Sequence, residues 1–285
     1  MEPTPTKQCV CTSTQFDPIF RYDSPPPGEV KFLATKELQS ENKYFREIHR
    51  CRCCGHFLSV HEMNLDNLYS GDYVAANYGG SAGLKKAFDR INRLPSEQSD
   101  NLERTNWVTK CYWQAVGDGV PSKLLDVGAG LGVFVYQMKK LGWDCLAIDP
   151  DKTSATHIAE TAQVRSICAD FRSSQEIKRL LEDEGPFNLI TFNKVLEHVA
   201  DPIGFLRNTN EILSSDGYVY IELPDAEGAC LEGQNREEFF VDHIHIFSAA
   251  SLSILVEKAG FRVNNLERIK EPSSKYTLRA FCSRL

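Results

Sequence analysis

Three groups of residues have types and spacings that could do chemistry. The first is Gly128-Ala129-Gly130-Leu131-Gly132, where glycines let the backbone turn tightly and bring helix N–H groups against a ligand. Two carboxylates accompany it: Asp126, two residues before the first glycine, and Asp149, in Leu146-Ala147-Ile148-Asp149-Pro150. Asp126 would repel a pyrophosphate and suit a cationic or amino-bearing ligand, while Asp149 is placed to accept hydrogen bonds from ribose hydroxyls. The spacing is Gly-x-Gly-x-Gly and not the dinucleotide pattern Gly-x-Gly-x-x-Gly, which argues against NAD. The second group is thiol. Five of the ten cysteines, Cys9, Cys11, Cys51, Cys53 and Cys54, fall in the first fifth of the chain. Cys51-x-x-Cys54-Gly55 is the turn that presents two thiolates to one tetrahedral zinc. Cys9-x-Cys11 is the candidate second pair, and Cys53, His49 or His56 could replace one of its members. The third group is imidazole: His198, and His243 in Asp242-His243-Ile244-His245. Histidine titrates near neutrality and suits a general base.

These groups need elements to hold them. From Pro121 onward the pattern alternates strand and helix. Lys123 to Val127 reads as a buried strand, followed by a helix face of Leu131, Phe134, Val135, Met138 and Leu141 that stops at Gly142. Further strands are predicted over 144–148, 164–168, 187–192 and 217–223, with helices over 152–161, 173–182, 202–213 and from Ser248 to Gly260. Two late strands, 261–263 and 276–282, finish the chain. Such alternation implies parallel βαβ units and a ligand at the strand carboxyl ends. The glycine turn, Asp149, His198 and His243 all fall at that edge. Composition shifts near residue 66, giving an expected division into a cysteine-bearing unit (1–66), a helical connecting or lid segment (67–119) and the α/β domain (120–285).

Composition narrows the classes. Across 285 residues, 32 basic side chains against 39 acidic give a net charge of −7, which opposes general binding to nucleic acid or to anionic lipid. No run approaches the roughly 18 apolar residues of a membrane helix, and the N-terminus has no apolar leader core. The expected location is cytoplasmic. In a reducing compartment clustered cysteines point to metal, not disulfides.

Read in order, Leu124 to Gly132, Asp149, Cys168-Ala169-Asp170-Phe171, Phe187 to Val199, Asp201-Pro202 and Gly217 to Glu222 resemble the class I S-adenosylmethionine-dependent methyltransferases over residues 121–285. The resemblance implies a Rossmann-like sheet, mostly parallel with an antiparallel last strand, beside a small N-terminal zinc-ribbon-like domain. It implies that Gly128 and Gly130 line the methionine part of the donor with Asp126 nearby. Asp149 would then hold the ribose, Asp170 and Phe171 bracket the adenine, and Asn193 offer its backbone near the methionine amino group.

The cysteine ribbon followed by Leu68-Tyr69-Ser70-Gly71-Asp72-Tyr73 and Tyr78 resembles a subgroup of sugar methyltransferases that carry a structural zinc, here on Cys9, Cys11, Cys51 and Cys54. Their Tyr-x-Glu-His segment matches Phe240-Val241-Asp242-His243, with phenylalanine for tyrosine and aspartate for glutamate, and His198 matches their other pocket histidine. Methyl transfer is an in-line displacement on a sulfonium carbon, so the protein must chiefly align the nucleophile and remove its proton. His243, with Asp242 adjoining it in sequence, and His198 form the expected catalytic set. The expected acceptor is a sugar, nucleotide-linked or in a polysaccharide precursor. The runner-up is O-methylation of a quinone or other small aromatic, because Val195 to Pro202 resembles that branch too. A reading from another class, a zinc ribbon gripping RNA through Arg46, His49, Arg50 and Arg52, is opposed by the net charge.

Overall fold

The computed structural model describes residues 8–26, 28–29, 44–61, 63, 78–118, 122–172 and 174–285. The Leu68 to Tyr73 segment and the expected boundary near residue 66 lie outside them.

Three antiparallel strands come first: β1 (Phe16–Tyr22), β2 (Arg46–Cys51) and β3 (Phe57–Val60). Helices α1 (Ser81–Asn92) and α2 (Asp100–Val116) follow, the second capped by Ser99 Oγ accepting from the Leu102 amide. Then β4 (Lys123–Val127), α3 (Val133–Lys140), β5 (Asp144–Asp149), α4 (Lys152–His157), β6 (Arg165–Cys168) and α5 (Ser174–Leu181) alternate. The alternation continues through β7 (Phe187–Asn193), α6 (Pro202–Arg207), β8 (Leu213–Pro224) and α7 (Ala226–Cys230). The last elements are β9 (His245–Ile246), α8 (Ala249–Lys258), β10 (Phe261–Lys270) and β11 (Tyr276–Arg284).

Seven strands form one sheet in the order β10-β11-β8-β7-β4-β5-β6. The five from β8 to β6 are parallel, and β11 is inserted antiparallel between β8 and β10. Alternate strand residues feed opposite faces. Leu125, Val127, Ile190 and Phe192 enter one apolar cluster, while Leu124, Ala147, Leu189 and Tyr220 enter the other. A parallel sheet covered on both faces follows from that pattern. The chain reverses its winding between β4 and β7, and a crevice opens there at the carboxyl ends.

Two helices are shorter than their apolar spacing predicts. The one begun at Lys152 passes into a π turn over Ile158–Ala162. The one begun at Pro202 tightens into a 3₁₀ turn over Asn208–Glu211. In that turn Thr209 Oγ1 and Asn210 Nδ2 donate back to the Leu206 and Arg207 carbonyls, the local competition that ends helices at such residues.

The N-terminal sheet has the order β1-β2-β3-β9, all antiparallel. Its fourth strand therefore comes from residues 245–246, within the stretch expected to belong to the α/β domain. Two buried polar side chains tie the N-terminal strands to segments far along the chain. Arg46, fully buried, pairs with Glu29 and donates to the Phe239 carbonyl at 2.6 Å. His56 Nε2 meets His245 Nδ1 at 2.9 Å.

Candidate active site

The glycine turn leaves β4 with Gly128, Gly130 and Gly132 all in the left-handed region, at φ 70°, 51° and 70°. A Cβ added at Gly128 would stand 2.7 Å from Val195 Cγ2, so only glycine fits there. Asp149, at the end of β5, accepts from the Gly130 amide at 2.8 Å and the Asp151 amide at 2.9 Å. Each carboxylate oxygen has a second lone pair left for a ligand hydroxyl. Burial lifts its pKa to about 6 against those two N–H bonds.

Asp126 lies one strand away and is 1% exposed. Its Oδ1 accepts from Thr191 Oγ1 at 2.6 Å and from Asn193 Nδ2 at 2.8 Å. Burial pushes its carboxyl up to about 7, with those hydrogen bonds and the Arg104 charge pulling the other way. Asn193 Oδ1 is buried with no hydrogen-bond partner among the described residues. Asp126 and Asn193 thus place a carboxylate and an unsatisfied carbonyl at the ends of neighbouring strands, a pairing that suits an amino group.

Asp170 and Phe171 stand differently from the earlier three. The Asp170 carboxylate folds over the Arg172 amide and guanidinium, which hold its pKa low. The Phe171 ring is buried against Phe192 and Phe205, with centroids 5.9 and 5.3 Å away. The ring is therefore part of the core, and the Phe171 carbonyl accepts from Asn208 Nδ2 at 3.1 Å.

The two histidines come together. The rings of His198 and His243 meet edge to face, 4.9 Å between centroids. His198 Nδ1 contacts the Asp242 carbonyl at 2.8 Å, and His243 Nδ1 contacts the Glu238 carbonyl at 2.8 Å. A carbonyl only accepts, so Nδ1 carries the hydrogen in both rings and Nε2 bears the lone pair in the neutral form. Asp242 therefore orients His198 through its backbone, while the orienting group of His243 is Glu238. His245 is drawn away to His56, and burial lowers its pKa to about 4.

Glu197, absent from the expected site, is fully buried in the turn after β7, beside both rings. Its adjacency to His198 was the available signal. Arg104, on α2, went unnoticed as well. It makes a two-pronged pair with Glu222 at 2.7 and 2.5 Å, closing the floor of the crevice where β8 ends.

In the N-terminal segment, Cys9, Cys11, Cys51 and Cys54 converge, with sulfur atoms all within 4.8 Å of one another. Cys9 and Cys54 are 3.3 Å apart and Cys11 and Cys51 3.7 Å. Gly55, at φ 73°, closes the second knuckle by donating to the Cys51 carbonyl at 3.0 Å. The alternatives are not in this group of four: Cys53 reaches Cys11 but is exposed, His49 is bonded to Glu47, and both nitrogens of His56 are spent on Ser251 and His245.

A family model described as a methyltransferase domain matches residues 84–266. Ubiquinone biosynthesis O-methyltransferase of Caulobacter vibrioides is 36% identical over 102 residues, 34% of this chain and 39% of that protein. The Acinetobacter baylyi protein of that name is 29% identical over 139 residues, covering 47% of this chain and 56% of the relative. The chain thus spans about half the length of the curated relatives it matches. Among solved structures, a Burkholderia thailandensis 1,6-didemethyltoxoflavin-N1-methyltransferase with bound S-adenosylhomocysteine superposes with a TM-score of 0.52 at 14% identity, over 84% of this chain and 95% of that one. A magnesium protoporphyrin IX methyltransferase from Synechocystis PCC 6803 also gives 0.52, at 12% identity, over 77% of this chain and all of that one. Both share the fold.

The relatives correct one expectation. The sugar acceptor rested on the cysteine ribbon, but these relatives are ubiquinone biosynthesis O-methyltransferases. The physical reason is simple: cysteine knuckles specify a metal site and carry no information about what the strand ends bind. Among the described residues, no helix is long and apolar enough to cross a membrane.

Proposed function

Because the chain belongs to the methyltransferase domain family, we propose that it is an S-adenosylmethionine-dependent O-methyltransferase acting on a hydroxyl of a quinone-type or other small aromatic molecule. One observation carries this reading. The cradle for the donor and the Glu197, His198, His243 cluster share the carboxyl edge of β4 and β7, joined through the Asn193 to His198 segment.

The residues fit the donor. Gly130 leaves open space where a Cβ would stand, Asp149 retains acceptor capacity for ribose hydroxyls, and Asp126 with Asn193 Oδ1 suits the methionine amino group. Asp170 and Phe171 border the adenine end. S-adenosylmethionine supplies an electrophilic methyl on a good leaving group. The protein's own work is to align the acceptor oxygen and take up its proton, and we assign that to His243 and His198, whose tautomers the Glu238 and Asp242 carbonyls hold. At the N-terminus the four cysteines hold a structural zinc. Zn–S bonds of about 2.3 Å put tetrahedral sulfurs roughly 3.8 Å apart, close to the Cys11–Cys51 separation of 3.7 Å.

Labelled S-adenosylmethionine offered with a panel of substituted phenols and hydroquinones tests the reading. Label recovered as an aryl methyl ether is the expected result. Donor binding without transfer to any phenolic acceptor would overturn the acceptor class.

A further inference from the structure

A fifth thiol accompanies the four that converge. Cys53 lies inside the second knuckle, between Cys51 and Cys54, and is exposed. The knuckle fixes its backbone: the amides of Cys53 and Cys54 both donate to the Cys51 sulfur, the kind of bonding that steadies a ligating thiolate. Among the four converging residues, Cys9, Cys51 and Cys54 are buried, while Cys11 is only half-buried. It is Cys11 that the Cys53 thiol reaches. A tetrahedral site takes four ligands, so its most accessible sulfur has beside it an accessible thiol that the tetrahedron does not use.

Exposure alone would not single out Cys53. Cys168 is exposed as well, yet its sulfur is turned to the Pro150 carbonyl, 3.6 Å away, and not to another thiol. Oxidation of an accessible cysteine begins with a sulfenic acid, and a second thiol at hand converts that acid to a disulfide. Cys53 has such a neighbour, held near it by the pairing of the two knuckles.

We propose that Cys53 is an oxidative modification site whose substrate is a small hydroperoxide and whose resolving partner is Cys11. The Cys53 thiol attacks one peroxide oxygen; the O–O bond breaks, the sulfur becomes a sulfenic acid and the other oxygen leaves as water. The Cys11 sulfur then attacks the Cys53 sulfur. The S–S bond forms, the S–O bond breaks, and the hydroxyl departs as a second water with a proton from the thiol or the solvent. Two electrons leave the pair of cysteines and reduce hydrogen peroxide to two waters. The converging site is left with Cys9, Cys51 and Cys54, and a closed four-thiolate centre becomes an open one from which metal escapes. That escape rests on the structural zinc proposed above; the disulfide does not.

The test uses the full chain as purified and hydrogen peroxide as probe. Zinc release is followed with a chromogenic chelator, and peptides are mapped without reduction after free thiols are alkylated. The expected result is a Cys11–Cys53 linkage formed in step with release of one zinc per chain, and undone by a dithiol reductant. Cys53→Ser, at an exposed position outside the four ligands, should hold its zinc beforehand and release it at least tenfold more slowly; Cys53→Ala serves if the serine variant does not fold. A linkage between Cys9 and Cys54 in place of Cys11–Cys53, or release from Cys53→Ser at the parental rate, overturns the site. A chain that carries no zinc, yet forms the Cys11–Cys53 bond in the parent, supports the modification site and tells against the zinc reading instead.

Discussion

Asn193 turns its amide nitrogen onto Asp126 Oδ1, 2.8 Å away, and so clips the end of β7 to the end of β4 across the crevice. The amide oxygen is left over and meets no donor among the described residues. In the function proposed above the two residues would serve as one receptor, Asn193 both stabilising the Asp126 charge and adding an acceptor beside it.

Donor affinity should therefore depend on pH. Burial raises Asp126 to about 7 and Asp149 to about 6, and each must be ionised to serve a cationic amino group or a ribose. As pH falls from 7 to 6, affinity for S-adenosylmethionine should drop about tenfold per unit, and more steeply below 6. The sign for stability is opposite. Both folded-state pKa values lie above the unfolded ones, so the folded chain binds these protons more tightly and loses stability as pH rises from about 4 toward 7. Calorimetry across that range checks the first part, and Asp126→Asn should leave only the lower step.

Selectivity for the donor is a second expectation. The protein should bind S-adenosylmethionine or its demethylated product and not NAD. Asp149→Ala should weaken that binding by about 1.5–3 kcal/mol, the usual cost of losing a charged hydrogen-bond partner. Measurable NAD affinity with none for the sulfonium donor would refute the assignment of the cradle.

His243→Ala should bind the donor normally yet lose roughly 10²–10⁴ in turnover. His198→Ala should show a comparable or smaller loss. Near-normal rates in both variants with a working acceptor would remove the histidines from the chemistry.

Metal analysis should find one cysteine-bound zinc per chain. Stripping it, or Cys51→Ser, should lower Tm by roughly 6–12 °C if about 3 kcal/mol is lost. A zinc-free protein with an unchanged melting curve would defeat that expectation.

Arg46→Ala should cost about 3–5 kcal/mol in urea unfolding, because it strands Glu29 as an unpaired buried charge. Arg46→Met with Glu29→Leu should recover most of it.

The parallel core was legible in sequence because each strand and helix carries its own apolar period, and because glycines and aspartates punctuate the strand ends. Asp126, Asp149 and the paired histidines fell at the right edge for that reason. The N-terminal sheet was not legible. Its strands mix Asp17, Pro18 and Arg21, or Glu47, His49 and Arg50, with apolar residues, and its fourth member is two residues long and far away in sequence. Glu197 was missed because nothing local distinguishes a buried carboxylate from a solvated one; only the fold closes the 240–247 loop over it.

That distant fourth strand has a consequence for biosynthesis. The edge of β3 that β9 will cover leaves the ribosome first, and 185 residues separate Val60 from His245. At roughly 5 to 20 residues per second, its partner follows about 10 to 40 s later. Over that interval Phe57 and Leu58 present an open strand edge to other nascent chains. The pairing that anchors the histidine loop in the finished protein is thus also the last seam to be sewn, and the nascent N-terminal sheet is where a chaperone would have most to shield.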